Sequence, residues 1–243
     1  NINKFYQNVK TYKKDNSKVP RIFILTGNPG SGKSYVARLI ANQNTNVEVI
    51  KKYSTRNKRA DEENVVETEA GCSRDFIETL EYRSIFEMRN EKNYFGVSKE
   101  EIEEALKSGK NVFIATTSLD LYEQIASDFP CQVHLIEVEN PLYNPRTQKA
   151  IFETQGRSKE EIENRLGLTT NDDVHKFDYN LRTIVNPIMY LKEFDSEEQK
   201  LFILNQIKYV LETYGTELNI DIKPSDLLDD FDSYFLTCFR NTK

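Results

Sequence analysis

The segment that most constrains this chain is Arg21 to Ser34, RIFILTGNPGSGKS. Arg21 to Thr26 is a short, mostly β-branched apolar run of strand length, the loop Gly27-Asn28-Pro29-Gly30-Ser31-Gly32-Lys33-Ser34 follows it directly, and Tyr35 to Ala41 then carries helical spacing. The loop matches G-x-x-x-x-G-K-[ST] in full, between a strand and a helix as that motif requires. Glycines let the backbone wrap a phosphate with its N–H groups aimed inward, and the N-terminus of the helix adds a positive field. Lys33 is expected to reach the β- and γ-phosphates, and the Ser34 hydroxyl to ligate Mg²⁺. The chain has only nine glycines in 243 residues, and three of them stand in this loop. ATPases, GTPases and small-molecule kinases all use such a loop, so it speaks for phosphate binding without choosing the reaction.

Further strands are expected over Val47 to Tyr53, Asn111 to Thr116, Gln132 to Val138 and Asp178 to Val185. Helices are expected between them, including Lys99 to Lys107, where Ser98 and Glu101 form a capping box, and Leu119 to Asp128. This alternation predicts an α/β fold with a parallel five-stranded sheet flanked by helices. Two stretches interrupt it. Asp61 to Gly71 is densely acidic, and Pro141 to Arg165 carries Arg146, Arg157 and Arg165 and ends in a helix with Ser158 and Glu161 as capping box. Beyond Ser196, Leu201, Leu204, Ile207, Val210 and Leu211 form a helical apolar stripe. After Pro224, Leu227, Leu228, Phe231, Tyr234, Phe235 and Phe239 form a second stripe, which must cover the core or meet a protein partner or another copy of the chain. The expected division is an N-terminal helical extension over 1–20, one phosphate-loop domain over 21–214 and a C-terminal helical extension over 215–243.

Composition excludes several classes. With 33 basic against 39 acidic residues and a net charge of −6, the chain lacks the electrostatic footprint of a duplex-coating or membrane-surface protein. No apolar run reaches the roughly 18–20 residues of a membrane-spanning helix, and the opening residues, Asn1 to Lys14, are polar. A cytoplasmic location is the expectation. Cys72, Cys131 and Cys238 are odd in number and far apart, without metal-ligand spacing, and are expected as reduced thiols. His134 falls in a strand and His175 in a loop, and neither is expected to be catalytic.

Ser54-Thr55-Arg56-Asn57-Lys58-Arg59-Ala60-Asp61-Glu62 resembles the T-T-R-x-P-R-x-G-E segment of the guanylate kinase family, in which two arginines hold the phosphate of the acceptor GMP. Glu87, Asn93-Tyr94-Phe95-Gly96 and the helix and strand that follow are similar to that family's acceptor subdomain, and Gly156-Arg157 with Ile162-Glu163-Asn164-Arg165-Leu166 to its arginine-bearing lid. The resemblance runs from about Arg21 to Val185. It implies a P-loop NTPase fold with a small acceptor-binding insertion over about 54–97 and a helical lid over about 141–165. It also implies ATP and Mg²⁺ as cofactors, Arg56, Arg59, Glu87, Phe95 and Thr117 against the acceptor, and Lys33, Arg157 and Arg165 as the catalytic cations. The arginines make sense on their own terms, because a planar guanidinium offers a phosphate two parallel hydrogen bonds.

The resemblance breaks where the family reads guanine. Phe95 and Val97 stand where hydroxyl-bearing acceptor residues are expected, Thr68 falls near the position of an acceptor-site tyrosine, and Ala115-Thr116-Thr117 replaces an Asp-x-Asp. Each missing bond shifts discrimination by about 1–3 kcal/mol, so GMP does not follow as the acceptor. The leading expectation is an ATP-dependent kinase of a phosphorylated small acceptor, first of all a nucleoside monophosphate. A kinase of a non-nucleotide or a nucleic-acid end, and a nucleotide-binding scaffold without transfer, are the alternatives.

Overall fold

An apolar run without alternation has to be covered on both faces, and Ile22–Thr26 forms strand β1 with all five residues buried. The computed structural model of the protein describes residues 20–59, 67–88, 91–130, 132–139, 145–166, 181–185 and 204–205. Among them β1 occupies the middle of a five-stranded sheet with β2 (Val47–Val49), β7 (Asn111–Ala115), β8 (Val133–Glu139) and β9 (Leu181–Val185), in the order β2-β7-β1-β8-β9. Every pairing in it is parallel. The expected α/β P-loop architecture is therefore present.

Successive residues of β1 serve opposite faces. Phe23 and Leu25 pack with Val36 and Ile40 of helix α1 (Lys33–Gln43), and with Phe113 and Ile136. Ile22 and Ile24 pack with Ile102 of α3 (Lys99–Lys107), with Leu121 and Ile125 of α4 (Leu119–Asp128), and with Ile114 and Leu135. Full burial of each such side chain contributes about 1.5–3 kcal/mol, so the two layers lock the strand ends in place. The serines expected as caps do cap: Ser98 accepts from the Glu101 N–H, and Ser118 from that of Leu121.

The expected strand Val47 to Tyr53 is divided between two sheets. β2 ends at Val49, the Ile50 N–H bonds the Phe113 carbonyl, and after Lys51 the chain enters β3 (Lys52–Ser54) in a second sheet. The reason lies in the pattern: the apolar run stops at Ile50, and the adjacent Lys51 and Lys52 cannot continue a doubly covered strand. The second sheet has four strands in the order β4-β3-β6-β5, with β4 (Thr68–Ala70), β5 (Tyr82–Met88) and β6 (Glu91–Val97), the last two a long antiparallel hairpin. Helix α2 (Arg74–Thr79), capped by Ser73, packs on β6.

Helices α5 (Pro145–Thr154) and α6 (Lys159–Arg165) enclose a third apolar cluster of Ile151, Phe152 and Ile162. Ser158 caps α6 through the Glu161 N–H. Of the stripe expected beyond Ser196, Leu204 is described, and it is buried in the core of α1. The expected N-terminal extension up to Val19 and the C-terminal segment over 215–243, with its apolar stripe, lie outside the described residues, as do Cys131, Cys238 and His175. His134 is buried, lies 3.4 Å from an Arg21 nitrogen and stacks on Phe23, a structural role. Cys72 is a half-buried free thiol. No helix among the described residues is long and apolar enough to cross a membrane.

Candidate functional site

The loop from Gly27 to Ser34 leaves the carboxyl end of β1 at the centre of the parallel sheet, where α/β folds open their ligand crevice. Gly27 has φ 136°, and a Cβ there would stand 2.3 Å from the Val138 carbonyl oxygen of β8. Only glycine can make this turn. Gly30, at φ 82°, lies against the ring of Phe152, so α5 closes over the loop. α1 begins at Gly32 with no side-chain cap bond and no acidic residue in its first turn, whereas serines cap α2, α3, α4 and α6. Its first N–H groups are thereby left to an anion.

Lys33 folds back over this loop, its Nζ donating to the carbonyls of Gly27 at 2.9 Å and Asn28 at 2.8 Å. Burial, and then the nearby charges of Lys52, Arg157, Arg165 and Arg59, push its ammonium well below the usual lysine range. Ser34, next along, stands close enough to the Glu67 carboxylate to favour its charged form. Glu67 is 2% exposed, its Oε2 has no hydrogen-bond partner, and Arg38 approaches its Oε1 at 4.0 Å. Burial raises the Glu67 carboxyl above its ordinary value.

The other cations come from the second sheet and from α5 and α6. Arg56 is 9% exposed; its backbone N–H donates to Ser54 Oγ and its Nη1 to the Asn57 carbonyl at 2.9 Å. Arg59 reaches across to α6 and meets Glu161 Oε1 at 2.6 Å. The same oxygen accepts from Arg157 Nη1 at 3.0 Å and lies 3.5 Å from Arg165 Nε. Arg157 also rests on the Phe152 ring at 4.2 Å, and Arg165 on the Phe86 ring at 4.5 Å while donating to Glu91 at 3.2 Å. Burial and the crowd of like charges lower Arg157 to about 9. Burial pushes the Glu161 carboxyl up, but Arg59, Arg157 and Arg165 together hold it below the usual carboxylate range. A cavity of about 410 Å³ lies among Arg56, Arg59, Arg157, Glu91, Asn93 and Glu161.

Of the residues named from sequence, Lys33, Arg59, Arg157 and Arg165 are thus near neighbours, with Arg56 beside them. Glu87 stands apart: it is exposed, ion-paired with Lys92 at 3.2 Å, and not among the residues lining the cavity. Phe95 and Thr117 do not line the cavity either. Phe95 instead faces Lys52, whose Nζ lies 5.4 Å from its ring, and Lys52 donates to the carbonyl of Ala115 at 2.9 Å, two residues before Thr117.

Sequence reasoning missed Lys52, Glu67, Glu91 and Glu161 as members of the site. Glu161 had a signal, but as a helix-capping residue; Lys52 and Glu67 belong to no motif, and only the crossing from β2 into β3 brings Lys52 to the end of β7. Taken together, Lys33, Lys52, Arg56, Lys58, Arg59, Arg157 and Arg165 outnumber the carboxylates Glu67, Glu91, Glu160 and Glu161 in this region, a surplus that favours anionic ligands.

No family model matches the chain. It is similar to curated proteins named guanylate kinase. One, from Pseudoalteromonas translucida (strain TAC 125), is 33% identical over 100 residues, covering 38% of this chain and 46% of that protein. Another, from Wolinella succinogenes, is 25% identical over 175 residues, covering 72% of this chain and 74% of that protein. The first match therefore spans just under half of its relative's length. Among solved structures, a guanylate kinase from Anaplasma phagocytophilum shares the fold with a TM-score of 0.50 at 17% identity, over 90% of this chain and 97% of that one.

Proposed function

We propose that this chain, which is guanylate kinase-like in sequence and fold, transfers the γ-phosphoryl group of ATP to the phosphate of a small acceptor of the nucleoside monophosphate class. The relatives from Pseudoalteromonas and Wolinella carry the name guanylate kinase, which supports the class of reaction. The observation that carries the reading is the gathering of Arg59, Arg157 and Arg165 on the single Glu161 carboxylate, beside Arg56 in the cavity and within electrostatic reach of Lys33 in the glycine loop.

In this reading the phosphates of ATP lie on the backbone N–H groups of Gly27 to Ser34 and on the first turn of α1. Lys33 gives up its two loop carbonyls for the β- and γ-phosphates, and Arg56 and Arg59 hold the acceptor phosphate. An oxygen of that phosphate attacks the γ-phosphorus, the bond to the bridging oxygen of ADP breaks, and Arg157 and Arg165 stabilise the charge spread over the transferring group. The attacking oxygen is already anionic at neutral pH, so no general base is needed. That agrees with the structural role of His134. Closure of α5 and α6 excludes water, so that transfer outruns hydrolysis.

The residues near the loop suit Mg²⁺. The Ser34 hydroxyl and the buried Glu67 carboxylate, with its unpartnered Oε2, are hard oxygen donors. No group of three or more His, Cys, Asp or Glu side chains that could hold a metal occurs among the described residues, so the nucleotide phosphates would complete the shell. When bound there by Ser34 and Glu67, the ion would supply positive charge against the phosphates.

A coupled ADP-release assay over GMP, dGMP, AMP, CMP, UMP and dTMP tests the reading. Turnover with at least one acceptor, lost about 10²-fold or more in Lys33→Ala, is the expected result. ATP binding with no ADP release from any acceptor would overturn it in favour of a nucleotide-binding module, the reading that the carboxylate-free Ala115 and Thr117 favour.

A further inference from the structure

Lys52 is unusual among the cations of the cleft. It sits in β3, four residues before Arg56, and its ammonium crosses to the parallel sheet to bond the carbonyl of Ala115 at the carboxyl end of β7. The ring of Phe95 flanks it at 5.4 Å. Arg56, Arg59 and Arg165 all act on it as like charges, and Glu67 is the carboxylate that opposes them. Glu67 is shared with Arg38, which approaches it at 4.0 Å, so one carboxylate faces several cations. Lys52 thus stands between Arg56 and Arg59, which act on it as like charges, and the Phe95 ring and Ala115 carbonyl, the latter lying two residues before Thr117.

A lysine ammonium has three donors and no acceptor. It cannot accept from a donor edge such as the N1–H and exocyclic amine of guanine, and the neighbouring Ala115 and Thr117 have no carboxylate to do so in its place. A neutral carbonyl oxygen on the ligand would offset only part of what it takes to hold a half-buried cation near two guanidiniums, whereas a full negative charge offsets far more.

We propose that Lys52 sets the acceptor class: the site takes a phosphorylated acceptor bearing a second anionic group, held by Lys52 at the end of β7 while Arg56 and Arg59 hold the phosphate to be extended. This rests on the phosphotransferase reading above for which phosphate is extended, but the binding preference itself does not require turnover.

The test uses matched pairs that differ only in the second anion: guanosine 3′,5′-bisphosphate against GMP, adenosine 3′,5′-bisphosphate against AMP, and 3-phosphoglycerate against glycerol 3-phosphate. Dissociation constants are measured by titration calorimetry on the full chain saturated with a non-hydrolysable ATP analogue, and ADP release is followed separately. The wild-type chain is expected to favour the member with the second anion roughly tenfold or more in at least one pair. Lys52→Met should bring the two members of that pair within about twofold, and Lys52→Arg should keep most of the preference. Equal affinities in every wild-type pair, or a preference that survives Lys52→Met, overturns the proposal. Should Lys52→Met not fold, the wild-type pairs and Lys52→Arg still decide. A preference without ADP release would sink the kinase reading and leave this one standing; GMP turnover with no preference would do the reverse.

Discussion

A lysine held beside guanidiniums destabilises the unliganded fold, and a lowered pKa is the expression of this. Burial, followed by Arg56 and Arg59, lowers Lys52 to about 7, with Glu67 acting in the opposite direction. In the unfolded chain its pKa is about 10.4. Between these values the unfolded chain binds the extra proton, so the Lys52 contribution makes stability rise from pH 7 towards 10 and leaves it lowest below 7. Denaturant midpoints of the unliganded protein at pH 6.5, 8 and 9.5 should therefore climb more steeply in wild type than in Lys52→Met, and the variant should be the more stable at pH 6.5. Parallel curves would show that Lys52 is not strained. Gly27 is constrained differently: with φ 136° and the Val138 oxygen 2.3 Å from a hypothetical Cβ, Gly27→Ala should cost about 1–3 kcal/mol in thermal or chemical unfolding and abolish ATP binding.

Among the elements, α6 does the most with the least length. Seven residues supply Glu161 and Arg165, and the helix is started by Ser158. Ser158→Ala should cost about 1 kcal/mol of stability, as should Ser73→Ala at α2, but only the former should also weaken ATP and acceptor binding, because α2 carries none of the cations. Glu161 holds Arg59, Arg157 and Arg165 through one oxygen, in the way a phosphate oxygen would. Glu161→Gln should lower the stability of the unliganded protein by about 1–3 kcal/mol while tightening the binding of inorganic pyrophosphate measured by calorimetry, since the anion no longer competes with a carboxylate. Weaker pyrophosphate binding would mean that Glu161 positions the arginines rather than substitutes for a ligand. Because these arginines keep its carboxyl below the ordinary range, the stability Glu161 contributes is present at neutral pH and lost on acidification through that lowered value.

For the whole molecule, a net charge of −6 conceals a cleft of opposite sign. The cations there outnumber Glu67, Glu91, Glu160 and Glu161, so the unliganded fold carries local repulsion that a multivalent anion relieves. Sulfate or pyrophosphate should raise the melting temperature well above what sodium chloride gives at equal ionic strength, by about 2.7 kcal/mol of stability at a concentration 100-fold over the dissociation constant. Equal shifts from sulfate and chloride would reduce the effect to simple screening.

Local chemistry made the scaffold legible. The β-branched runs at Ile22, Asn111 and Val133, the glycine loop and the serine caps each act within a few residues, and strand, turn and cap appear where those residues stand. The second sheet was the exception: the end of the apolar run at Ile50 marks where Val47 to Tyr53 breaks, but which strands pair with Lys52 to Ser54, and that Thr68–Ala70, Tyr82–Met88 and Glu91–Val97 are strands, is decided by contacts between residues far apart in the chain. The site divides in the same way. Lys33 and Ser34 follow from a motif whose spacing is its geometry, and Arg56 and Arg59 from a resemblance within a short segment. The sequence by itself therefore determined the glycine loop and its setting between a strand and a helix, which is what motivates placing a phosphate there. Only the tertiary structure decided that Glu161 gathers three arginines, that Glu67 lies beside Ser34, and that Lys52 stands at the end of β7. Such charges interact through space over a few ångströms across residues far apart in the chain, and only the folded chain brings them within that range.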